Sequence, residues 1–190
     1  MTAFSQLETR HVLPTPKASV SVFDLLEPDL ERLTRDFGIL LFCHLMIEHA
    51  LEELLARAGE QRGEDWRAEF ADLKFHRKIG ACEARTIQIG ADWQPIISPQ
   101  LANALRCLND LRNRIAHEYK TPLSYEEVHA YVAALEAAHV DFTDHFASSA
   151  NAARGLGYGD IFGLMHESTK HLFFELGFTL EEAGGPNLIT

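Results

Sequence analysis

The chain has 190 residues, 46% of them hydrophobic and 24% charged, a length and balance that fit one globular domain and exclude wholesale disorder or a collagen-like chain. Its 28 acids outnumber 17 bases for a net charge of −11, so broad electrostatic coating of nucleic acid is excluded and any such role needs a local basic site. Three cysteines, Cys43, Cys82 and Cys107, lack CxxC spacing and read as free thiols of a reducing cytoplasm. The longest apolar run, Gly38 to Ile47, contains His44 and is too short to span a membrane, so no membrane partner is expected.

In chain order, residues 1–20 carry Pro14 and Pro16 and read as an extended arm. Asp29 then caps an expected long helix to about Arg57, ahead of Gly59, with Leu33, Phe37, Leu40, His44, Ile47, Leu51 and Leu54 at spacings of three and four. Between Phe37 and Ile47 its second face is apolar too, which suits a central position or a second subunit. Trp66 to Arg85 reads as one further helix and Gly90 to Pro99 as a loop.

Ser98-Pro99 supplies an N-cap and a first-turn proline for a helix to about Tyr119, limited by Pro122. Ser124-Tyr-Glu-Glu127 is a capping box that opens a helix with the stripe Val128, Tyr131, Leu135, His139, Phe142 and Phe146. Gly155 to Gly159 is a loop, and Leu172 to Phe178 a short last helix. No strand pattern stands out. The expected fold is an all-α helical bundle of about five main helices, with an arm at 1–20, the helical domain at 21–148 and a loop, short helix and tail at 149–190.

The charge is uneven. Thr121 to the C-terminus holds ten acids and two bases, whereas Lys74–Arg85 has four bases against one acid and Arg106–Lys120 four against two. The second basic window contains Leu108-Asn-Asp-Leu-Arg-Asn-Arg-Ile-Ala-His-Glu-Tyr119. On a helix, Leu101, Leu105, Leu108, Ile115 and Tyr119 share one face, and Arg112 lies among them. A guanidinium there is costly without acceptors or a polar cavity.

Arg112-Asn113-x-x-x-His117 resembles the arginine-polar-x(3–5)-histidine signature of the HEPN superfamily (higher eukaryotes and prokaryotes nucleotide-binding). With Tyr119 it resembles the form found in HEPN/MNT toxins. The wider pattern, Leu51-Glu-Glu-Leu-Leu55, Phe75-x-x-Lys78-Ile79 and the motif helix, is similar to the mannitol operon repressor branch, and the resemblance covers roughly Leu30 to Phe146. It implies a dimerising helical bundle and, in active members, a metal-independent endoribonuclease that leaves 2′,3′-cyclic phosphate ends and needs no cofactor.

In that chemistry His117 moves protons, as an imidazole that titrates near neutrality suits. Arg112 steadies the phosphorane, and Asn113 orients the histidine or binds a phosphate oxygen. Lys74, Arg77, Lys78 and Arg114 are the candidate RNA contacts, and Tyr119 a candidate site of modification by a partner. Expected partners are a second copy, RNA and an antitoxin or regulatory protein. The competing reading is a non-catalytic interaction or regulatory module of the mannitol operon repressor type. There Arg112 and Asn113 satisfy buried carbonyls and an acidic partner, His117 caps the helix end, and Tyr119 packs in the core. Glu136-x-x-His139 has di-iron spacing, but no second such motif accompanies it, so no metal is expected.

Overall fold

A computed structural model describes residues 22–118, 122–140 and 161–189, with side chains from residue 34 onward. The described residues form six helices and one two-stranded hairpin, an all-α bundle as the periodicity predicts. The expected arm, Tyr119, Phe142, Phe146 and the Gly155–Gly159 loop lie outside the described residues.

Helix α1 (Val22–Glu60) is the axis of the bundle, longer at both ends than expected. It packs against α2 (Trp66–Phe70), α3 (Phe75–Ala84), α4 (Pro99–His117) and α6 (Ile161–Glu182), while α5 (Tyr125–Ala137) lies against α4 and α6. Its inward stripe of Leu40, Ile47, Leu51 and Leu54 is fully buried, and joins Leu105 and Leu108 of α4, Tyr131 and Leu135 of α5, and Leu164, Leu172 and Leu180 of α6 in one core. Removing this much apolar surface from water is what holds the helices together.

Three expectations change. The stretch read as one helix from Trp66 to Arg85 is two, because the chain turns between Phe70 and Phe75 and Asp65 caps the first piece by accepting from Ala68 N (3.2 Å). Gly59 is required just before it: a Cβ there would come within 2.8 Å of both Glu64 O and the Trp66 ring. Second, the expected loop from Gly90 to Pro99 begins inside a hairpin, in which β1 (Thr86–Ile89) and β2 (Asp92–Pro95) pair antiparallel with Gln88 opposite Trp93. Gly90, at φ 61°, takes the first position of its two-residue turn.

Third, the last helix is 22 residues long rather than a short segment, and its buried face is part of the core. The end of α1 is pinned to it and to the hairpin together. Gln61 Nε2 donates to Gln88 O (2.8 Å) and Ala183 O (3.1 Å), its Oε1 accepts from Gln88 N (2.7 Å), and Arg57 Nε donates to Ala183 O (2.7 Å).

The two helix-start signals flanking the motif act as read. Ser98 Oγ accepts from Leu101 N (3.1 Å) with Pro99 at the first helical position, and Ser124 with Glu127 closes a reciprocal capping box. Asp36, buried within α1, accepts from Leu123 N (3.1 Å) and so fixes where the chain re-enters after α4. These ties set the C-terminal half of α4 beside the middle of α1.

Candidate active site

Leu101, Leu105, Leu108, Leu111 and Ile115 of α4 are buried, and Arg112 sits at the edge of that apolar face, half-buried. Its Nη1 donates to Asn113 Oδ1 (3.0 Å), so the two motif residues are joined directly. Its Nε is buried and has no hydrogen-bond partner among the described residues. His117 is the last residue of α4 and is exposed, in the turn where the helix dipole favours a cation. The helix closes there as Glu118 N donates to Arg114 O (2.7 Å).

A buried polar cluster is formed between α1 and α3. Lys78 is only 3% exposed. Its Nζ donates to Glu48 Oε1 (2.7 Å) and also to Glu52. Burial alone would push this ammonium toward its neutral form, but the two carboxylates outweigh it and raise the pKa above the usual lysine value.

Glu48 turns its second oxygen toward His44, leaving Oε2 3.7 Å from Nδ1. The imidazole is 6% exposed and lies against the Phe75 ring, centroids 4.0 Å apart. Burial pushes its pKa below the usual 6.5; Glu48 opposes that shift, while Arg112 and Lys78 add to it.

The four candidate RNA contacts divide. Lys74, the N-cap of α3, and Arg77 within it are exposed. Lys78 does not share their solvated face, since its ammonium is enclosed by Glu48 and Glu52. Arg114 is engaged by Glu127, with Nε 2.5 Å from Oε1 and Nη2 2.6 Å from Oε2, and the same carboxylate accepts from Ser124 N (2.9 Å). That arginine therefore ties α4 to the cap of α5. Glu136-x-x-His139 is not a helical ligand pair: α5 ends at Ala137, and His139 has φ 61°. Among the described residues no cluster of three metal-ligating side chains exists, and no helix is long and apolar enough to cross a membrane.

His44, Glu48 and Glu52 stand at i, i+4 and i+8, a spacing that lines one face of α1. That was the signal for the cluster, hidden because His44 also fits the apolar stripe. No protein-family model, curated protein or solved structure is significantly similar to the chain.

Proposed function

We propose that the chain is a metal-independent endoribonuclease of the HEPN type, in which Arg112, Asn113 and His117 act on an RNA phosphodiester and release a 2′,3′-cyclic phosphate. The observation that carries this reading is the Arg112 guanidinium, half-buried on an apolar helix face with a buried Nε left without a partner. Such a donor costs stability unless an acceptor arrives, and a phosphate oxygen is the acceptor for which arginine is best shaped. Asn113, already bonded to Arg112, holds that side chain in place. His117, exposed one turn onward, moves the proton between the 2′-OH and the leaving 5′-oxygen.

In this reading the chain works in the cytoplasm as a toxin or defence component, restrained by a regulatory partner. It pairs with a second copy through α1, whose outward face exposes Phe42 (51%) and Leu45 (54%). Purified protein incubated with total RNA and EDTA tests the activity. Cleavage with cyclic phosphate ends, abolished by Arg112→Ala and by His117→Ala, is expected. Intact RNA, or equal cutting by both variants, refutes it.

One observation favours the competing regulatory module: Lys78 and Arg114, two of the bases nearest the motif, are spent on internal ion pairs. That module predicts a lower melting temperature for Arg112→Ala and His117→Ala with no RNA cleaved by the parent protein.

A further inference from the structure

At the C-terminal end of α1 the chain builds a series of stacked cations and rings. The Arg62 guanidinium lies 4.1 Å from the centre of the Trp93 ring and 5.2 Å from that of Trp66. Arg85 lies 5.1 Å from Trp66 and 4.5 Å from Phe70. Ring and cation therefore alternate from the hairpin to α2, in the order Trp93, Arg62, Trp66, Arg85, Phe70. Trp66 is buried and takes two guanidinium groups. Trp93 is 48% exposed and, among the described residues, takes one.

Holding the hairpin in place does not require that indole. Arg62 is fixed without it, donating to Ala58 O (3.1 Å), Thr86 O (2.8 Å) and Thr86 Oγ1 (2.6 Å), and Gln61 bonds both backbone groups of Gln88. All four residues of β2 are exposed. The series thus ends on a large ring that leaves apolar surface in water. The charge around it is negative. Exposed Glu60, Glu64 and Asp65 flank Arg62 in sequence and line an open pocket of about 300 Å³ beside Trp66. Arg67, the base on that pocket, is neutralised by Glu53 through two bonds (2.6 and 2.7 Å), and Asp92 is exposed next to Trp93.

We propose that Trp93 is the docking point for an arginine side chain of a basic partner protein, which stacks on the free part of the indole and extends the series by one cation. The fold already sets two cations on one tryptophan at Trp66. Tryptophan is the ring that holds cations best, and a planar guanidinium stacks on it better than an ammonium does. The four carboxylates attract a positive partner and repel the phosphates of a nucleic acid, which makes a base the poorer occupant. The surface uses neither Arg112 nor His117, so it stands whether or not the chain cuts RNA.

The test uses the full chain and two fluorescein-labelled peptides of equal charge, hexa-arginine and hexa-lysine, with binding followed by anisotropy at low and physiological salt. Bulk attraction serves both peptides, whereas stacking favours arginine. The parent is expected to bind hexa-arginine about fivefold more tightly than hexa-lysine, the weight of one exposed cation–π contact, and to keep that ratio as salt weakens both. Trp93→Leu, which keeps an apolar side chain, is expected to bind the two peptides equally. Trp93→Phe is expected to keep part of the preference, and it carries the test if Trp93→Leu fails to fold. Asp92→Asn is expected to weaken both peptides without changing their ratio, and Arg112→Ala to match the parent.

Equal binding of the two peptides by the parent, or an arginine preference undiminished in the folded Trp93 variants, overturns the inference. So does a labelled oligodeoxynucleotide held through Trp93, which would make the ring a platform for bases. Dimers that disperse in Trp93→Leu overturn it as well, since a second copy would then be the occupant.

Discussion

Lys78→Ala gives the sharpest test of how the site is held. Removing one member of a buried ion pair costs about 3–5 kcal/mol, because the charge left behind has neither water nor partner. Here the orphans are Glu48 and Glu52, with side chains 20% and 37% exposed. Both regain some water, which lowers the expected cost to about 2–3 kcal/mol. They also stand four residues apart on α1, and two like charges at that spacing return a few tenths of a kcal/mol to the penalty. A chain of this size moves by roughly 2–4 °C per kcal/mol, so the melting temperature is expected to fall by about 4–12 °C.

Thermal and urea unfolding followed by far-ultraviolet circular dichroism near neutral pH reads this directly. Lys78→Met combined with Glu48→Gln and Glu52→Gln completes the argument. With all charges gone and the lysine stem replaced by a similar apolar volume, most of the lost stability is expected to return. A loss below about 0.5 kcal/mol for Lys78→Ala, the size of an exposed pair, would mean that the ammonium is not enclosed. A triple variant no more stable than Lys78→Ala would mean that the cost came from lost packing instead of charge.

Two further outcomes follow from the same buried polar groups. Asp36→Ala removes the acceptor of Leu123 N and strands a buried donor at the entry to α5, at an expected cost of about 1–3 kcal/mol in the same melts, largely restored in Asp36→Asn. Acid should weaken the fold through His44: its folded pKa lies below the unfolded 6.5, so the stability it confers is complete above pH 6.5 and is lost as pH falls through the folded value. Melting temperature plotted against pH is therefore expected to fall more steeply over that window for the parent than for His44→Gln, and parallel curves would place the ring in water.

Local punctuation was readable where one residue type does one job. Ser98-Pro99 and the Ser124–Glu127 capping box mark helix starts because their side chains bond backbone groups three residues on, an interaction contained within the sequence window. The hairpin escaped because each strand has four residues and β1 fully buries one of them, Ile87, so alternation has no length over which to show. Helix α6 was shortened because Ser168 and Thr169 occupy buried positions on its stripe. They are tolerated since Ser168 Oγ donates to Leu164 O (2.7 Å) and Thr169 Oγ1 meets Tyr131 Oη (3.4 Å), and neither partnership is visible in a hydropathy pattern.

The site divides along the same physical line. Arg112 on an apolar face was legible, because helical geometry alone places it there. The fate of the neighbouring cations was not, because each is decided by a carboxylate far away in sequence: Lys78 by Glu48 and Glu52, Arg106 by Glu83, and Arg114 by Glu127. Two windows that look basic in the sequence are in large part neutralised from within the fold. Among the described residues of those windows, Lys74, Arg77 and Arg112 are the bases that make no ion pair with a carboxylate. The excess of acid therefore leaves room for one focused anion site rather than a basic surface. A half-buried guanidinium with an unpartnered Nε, and few free bases around it, is better suited to gripping a single phosphate than to holding a long strand.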